Sequence, residues 1–172
     1  MARLIPELMA SNRSAFTGLR INIRLALVES DKPGNSLRQE FTMIKQFNLK
    51  VFEEVLGICR LDSNAQVPEW AEGSFLSITR TSDELSIVCS QKHIPQHVKC
   101  EGSWRYFRIE GILDFSLIGV LSYLSGLLAS QGISIFVIST YDTDYLLIKE
   151  QELDKAVAAL RAEGHQITIA GG

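Results

Sequence analysis

The stretch Gly132-Ile133-Ser134-Ile135-Phe136-Val137-Ile138-Ser139-Thr140-Tyr141-Asp142-Thr143-Asp144-Tyr145-Leu146-Leu147-Ile148-Lys149-Glu150 sets the fold class. Its two ends, Ile133–Ile138 and Tyr145–Ile148, are β-branched and apolar. The six residues between them, Ser139 to Asp144, carry hydroxyls and carboxylates that favour a turn, so the segment predicts two antiparallel strands. Upstream, Leu117, Val120, Leu121, Leu124, Leu127 and Leu128 repeat at helical spacing, and Gln131-Gly132 is a helix stop. Before that helix, Trp104 to Ile112 alternates enough for a strand. Downstream, Glu150 to Glu163 places Leu153, Val157 and Leu160 on one helical face and ends at Gly164, and Ile167 to Ile169 adds a short strand. The order is βαββαβ, the ferredoxin-like arrangement.

An earlier block echoes this one. Val55 to Leu61 reads as a strand, and Asp62-Ser63-Asn64 with Pro68 marks a loop. Phe75 to Thr79 and Leu85 to Cys89 both alternate around the polar turn Arg80-Thr81-Ser82-Asp83-Glu84, which predicts a hairpin. The Pro95 region then breaks the chain. The two blocks form an imperfect tandem repeat, with shortened helices in the first.

Of 172 residues, 46% are hydrophobic and 22% charged, which excludes disordered, collagen-like and coiled-coil classes. Seventeen Lys and Arg against 20 Asp and Glu give −3, the wrong sign for nucleic-acid binding. Three cysteines without paired spacing make no disulfide framework and point to a reducing, cytoplasmic setting. Phe115 to Tyr141 holds no charged residue, yet serines and Gln131-Gly132 interrupt it, so it reads as a buried helix feeding a buried strand, not a membrane span.

Residues 1–42 read differently. This segment has six basic and four acidic side chains, so it is +2 while the remainder is −5. No secretory signal is visible, and the early arginines faintly resemble a transit peptide. Leu19-Arg20-Ile21-Asn22-Ile23-Arg24-Leu25 alternates like a half-buried strand, and compact patterning begins only near Met43. The favoured expectation is a poorly packed extension to which no function attaches.

The segment Gly132 to Glu150 resembles tandem ACT domains of the CASTOR type. Cys59-Arg60-Leu61 and the run Phe75 to Thr81 through Glu84 to Cys89 look like the first domain of that family, and Gly111 to Gly119 like the head of its second. The resemblance covers roughly residues 49–169. It implies an α+β fold of two ACT-like units side by side, with adjoining antiparallel sheets and helices on one face. The expected division is an extension over 1–42, a first unit over 43–102 and a second over 103–172. The resemblance further implies kinship with the regulatory domains of aspartate kinases and with cytosolic arginine sensors, which bind a free amino acid and signal to an enzyme or partner. Ligand identity does not transfer with a fold.

Two candidate site segments follow. An amino acid needs amide donors for its carboxylate and an acceptor for its ammonium. A strand-to-helix turn supplies the donors, because the first helical N–H groups lack internal partners and the dipole favours an anion. That turn is Leu113, Asp114, Phe115, Ser116 and Gly119: Asp114 either takes the ammonium or, like Ser116, caps the helix. Leu117 and Ile118 are bulkier than the residues relatives often carry there. The second segment, Ser139, Thr140, Asp142, Thr143 and Asp144, matches a stretch that lines the effector pocket in relatives; the alternative is a solvated turn. Its two carboxylates suit a cationic side chain.

Catalytic readings are weaker. His93, His97 and Cys100 have ligand-like spacing, but Pro95 rules out a helical pair, so no metal is assigned and no cofactor is expected. Cys59 and Cys89 sit in apolar strands where inert thiols are usual, and Glu53-Glu54 reads as a solvated pair. No phosphate loop or nucleophile elbow is present. The expectation is a non-catalytic regulatory module that binds a free amino acid between its units. Such a module would act with a second copy or a regulated protein as partner and with neither nucleic acid nor membrane. The alternatives are a structural or dimerisation protein with a vestigial pocket and, more weakly, a metal or thiol enzyme.

Overall fold

The structure, a computed structural model, describes residues 22–26, 42–111 and 119–170. Strand β1 (Asn22–Ala26) pairs with β2 (Thr42–Gln46) in a separate two-stranded antiparallel sheet. The alternation read over residues 19–25 is therefore expressed as a strand within its described part, from Asn22, and the boundary expected at residue 42 falls inside β2.

Everything else is built around one long strand, β3 (Asn48–Leu61). A first hairpin follows, β4 (Ser77–Arg80) and β5 (Leu85–Ser90), and its turn closes through the Thr81 N–H bond to the Glu84 carbonyl at 2.9 Å. Then come β6 (Cys100–Ile109), helix α1 (Val120–Ser130), β7 (Ile135–Ser139), β8 (Asp144–Lys149), α2 (Leu153–Ala162) and β9 (Gln166–Ala170). The α+β class and the order within the second block are as the pattern predicts. The strands of both blocks run into one seven-stranded sheet in the order β4-β5-β3-β6-β8-β7. The ninth strand docks on β3 in parallel, Asn48 opposite Gln166 through Phe52 opposite Ala170, so the last strand of the second block completes itself on a strand of the first.

Alternation in β3 gives the sheet two apolar faces. Leu49 and Val51 join Phe107, Ile109, Leu146 and Ile148 beneath both helices, which contribute Val120, Leu124, Leu128, Ala156 and Leu160 to the same core. Loops cover the same face at the other end of β3, around Cys59, Leu85, Ile87 and Cys89. The opposite face carries Leu56, Val88, Trp104, Tyr106 and Leu147. There Phe52 stacks on Tyr106 at 4.6 Å, and Phe75 stands edge-on to Tyr145 at 4.8 Å.

Helix α1 stops where Gln131-Gly132 predicts. Gly132 has φ +70°, its N–H reaches the Ala129 carbonyl, and the Ile133 N–H reaches Leu128, a paired closure that satisfies the last carbonyls. Its start differs from the expected cap. Gly119, at φ +82°, occupies the capping position and offers no side chain, so neither Asp114 nor Ser116 stands there.

Candidate functional site

The turn between β7 and β8 is tied internally. Thr140 N–H donates to the Thr143 carbonyl at 2.9 Å, the Thr140 hydroxyl donates to the same carbonyl at 2.8 Å, and it accepts from Thr143 N–H at 3.3 Å. Thr143 is buried, and its hydroxyl donates to the Ile109 carbonyl at 2.6 Å. That bond pins the hairpin tip to the end of β6, the strand that feeds the segment leading to α1. The hairpin segment is therefore held at the end of the sheet where β6 finishes. The candidates divide there: the Thr140 hydroxyl is spent on the turn and the Thr143 hydroxyl on Ile109, whereas Ser139 and Asp142 are exposed and Asp144 is half-buried beside Ser139 in the ladder. Among the described residues neither Asp142 nor Asp144 has an ion-pair partner.

Just past β6, the Glu110 N–H donates to the Asn48 carbonyl at 2.8 Å and the Glu110 carboxylate holds Arg108 at 2.5 Å. The Arg108 guanidinium is held above its ordinary pKa chiefly by that hydrogen bond. Gly119 is exposed, and among the described residues nothing lies where a side chain at that position would stand. Among the described residues the first turn of α1 has neither a capping side chain nor an acid, so its leading N–H groups keep their affinity for an anion. The candidates Leu113, Asp114, Phe115 and Ser116 lie outside the described residues.

A concave feature lies at the opposite end of β6 and β8. Between Phe52, paired with Tyr106, and Leu56, paired with Trp104, three β3 residues face only Arg105, and the register shifts again before Ile58. Arg105 fills this bulge by donating Nε to the Phe52 carbonyl at 3.0 Å and pairing with Glu150 at 3.4 Å. Beside it is a cleft of about 780 Å³ whose lining includes Glu53, Glu54, Ser74, Ser90, Gln91 and Lys92. Glu54, read from the sequence as one of a solvated pair, is held by the Ser74 hydroxyl and by the Ser74 N–H at 3.3 Å. Partial burial pushes its pKa up, but bonds from Ser74, Ser90 and the Ser74 and Phe75 amides outweigh it, and the carboxyl stays below its ordinary value. Glu53 is exposed, as a solvated residue should be. The signal for Glu54 is distant in sequence, because its partners come from another loop and another strand.

His93 Nδ1 lies 2.8 Å from Glu72, and His97 is exposed. Among the described residues no group of three His, Cys, Asp or Glu could hold a metal ion. No helix among them is long and apolar enough to cross a membrane.

Residues 99–162 match the family model described as ACT domain, and residues 54–97 match a second described as an N-terminal domain. The chain is 31% identical to the human and Pongo abelii proteins called cytosolic arginine sensor for mTORC1 subunit 1, over 56% of this chain and 32% of theirs. It thus spans about a third of the length of these curated relatives. A solved structure of a protein from Agrobacterium tumefaciens shares 38% identity, covers 74% of this chain and 96% of its own, and superposes with a TM-score of 0.70. The regulatory subunit of aspartate kinase from Thermus flavus, at 11% identity, a TM-score of 0.50 and coverage of 67% and 96%, shares the fold alone.

Proposed function

Because the chain carries an ACT domain over residues 99–162, we propose that it is a non-catalytic regulatory module that binds a free amino acid. The effector sits between the turn Leu113 to Gly119 and the hairpin Ser139 to Asp144. The observation that carries this reading is the 2.6 Å bond from Thr143 to the Ile109 carbonyl, which holds the hairpin against the strand that feeds the turn. The uncapped start of α1 supplies amide donors for the carboxylate. Asp114, Asp142 and Asp144 supply acceptors for the ammonium or for a cationic side chain, in keeping with the arginine named in the curated relatives. A ligand touching both walls favours the arrangement in which they are closed together, and that population shift is the signal. The receiver is a regulated protein or a second copy of the chain, and the setting is cytoplasmic, as the relatives' name has it for them.

A thermal-shift screen against the twenty amino acids tests the reading, since a ligand at a hundred times its Kd stabilises by about 2.7 kcal/mol. With the effector in hand, Asp114→Ala and Asp144→Ala should each weaken binding by roughly ten- to a hundredfold, the worth of a charge-assisted hydrogen bond of about 1.5–3 kcal/mol. Their melts should stay close to that of the parent. Unchanged calorimetric affinity in both variants removes the site. No binding of any amino acid at millimolar concentration leaves the structural or dimerisation reading in its place.

A further inference from the structure

Three thiols that the sequence scatters over 42 positions meet on one face of three adjacent strands. Cys59 of β3 stands directly opposite Cys100 of β6. The Arg60 N–H bond to the Lys99 carbonyl at 3.0 Å lies just beyond that pair, which makes it a non-hydrogen-bonded pair of the antiparallel ladder. In such pairs Cα atoms are about 4.5 Å apart and side chains approach most closely. That separation falls within the roughly 4.4–6.8 Å that a disulfide requires. Gly57, two residues before Cys59 on the same face, makes room: a Cβ there would lie 2.7 Å from the Cys100 sulfur. Cys89, the β5 partner of Gly57, borders the same gap. Cys59 and Cys89 are 1% and 0% exposed, whereas Cys100 is half-buried and the most exposed of the three residues.

We propose that Cys100 is an oxidant-sensitive thiol and Cys59 its resolving partner, so that a hydroperoxide drives formation of a Cys59–Cys100 disulfide. In the first step the Cys100 sulfur attacks the peroxide; an S–O bond forms, the O–O bond breaks, and the thiol proton leaves with the alcohol or water. The product is a sulfenic acid. In the second step the Cys59 sulfur attacks the Cys100 sulfur; the S–S bond forms, the S–O bond breaks, and hydroxide departs with the Cys59 proton as water. Two electrons pass from the thiol pair to the peroxide, and an external dithiol returns them. Burial raises the Cys100 thiol above its ordinary pKa, partly offset by the Cys59 hydrogen bond, so thiolate is scarce at neutral pH and the reaction quickens as pH rises. The bond would fasten the opening strand of the ACT domain to the long strand of the first block.

Tryptic digestion separates the three thiols onto Val51–Arg60, Thr81–Lys92 and Cys100–Arg105. After treatment of the full chain with hydrogen peroxide and alkylation under denaturing conditions, the first and third peptides should appear cross-linked. The Cys89 peptide should remain alkylated, and dithiothreitol should reverse the link. Cys100→Ser should retain both remaining thiols at the same peroxide dose. Cys59→Ser should halt at a Cys100 sulfenic acid that dimedone captures, and Cys59→Ala gives the same readout should the serine variant fail to fold. A link through Cys89, a link between chains, Cys100 over-oxidised without a link, or Cys100→Ser losing thiols as fast as the parent would each overturn the proposal.

Discussion

The imidazole of His165 is 3% exposed, stacked on Phe47 with ring centres 5.6 Å apart and edge-on to Tyr123 at 5.6 Å. Its Nδ1 accepts the Phe47 N–H at 3.1 Å, which places the proton of the neutral ring on Nε2, and Nε2 has no partner among the described residues. Burial pushes its pKa below the ordinary 6.5, against the opposing pull of the Glu163 carboxylate. The unfolded chain therefore binds the proton first. The contribution of His165 is complete above pH 6.5 and drains away as pH falls towards the folded-state value. Melting temperature should accordingly drop between about pH 7 and 5, and His165→Gln, which keeps an acceptor but does not titrate, should flatten that drop. Equal slopes in parent and variant would remove His165 from the account. The sequence reading passed over this residue because its partner is 118 positions away.

The β7–β8 hairpin shows an element doing two jobs. Its local chemistry, Thr140 and Thr143 closing a turn, was legible in the residue types. The buried bond from Thr143 to Ile109 was not, because it spans 34 positions and depends on β8 lying beside β6. Thr143→Val preserves the branched shape and removes that bond, leaving a buried carbonyl unsatisfied at a cost of about 1–3 kcal/mol. For a chain of this size that corresponds to a fall of several degrees in melting temperature. If the hairpin is a wall of the effector site, affinity should fall as well, and a melt beside a calorimetric titration reads both. A variant that melts with the parent would show the bond to be dispensable. Asp142→Ala, at an exposed residue with no ion-pair partner among the described residues, is the control that should leave the melt unmoved.

Across the whole molecule, the folded body is organised by β3, which pairs with β5, β6 and β9. The extension is linked to that body through β2, while the described core begins at Phe47. Deletion of residues 1–41 should keep a cooperative melt within a few degrees of the parent, because the described apolar core under the helices is assembled from residue 47 onward. An insoluble or strongly destabilised product would instead mean that β1 supports the sheet. Deletion of residues 164–172, which strips β9 from β3 and removes His165, should by contrast abolish cooperative folding, as judged by loss of a single sharp transition.

Much of this plan was legible in the residues. Period-two alternation marked the hairpins, a stripe of leucines marked α1, and Gly132 and Gly164 marked helix ends, because these signals depend on neighbours within a few positions. Together they determined an α+β chain with a βαββαβ second block. Strand partners are another matter. Any half-apolar strand satisfies its own alternation against many others, so the sequence pattern left open that β9 would return in parallel to β3. The bulge opposite Arg105, the grip of Ser74 on Glu54, the burial of His165 against Phe47 and the meeting of three thiols over Gly57 follow from that long-range register. Tertiary structure alone decided them, because each joins residues whose proximity no local periodicity encodes.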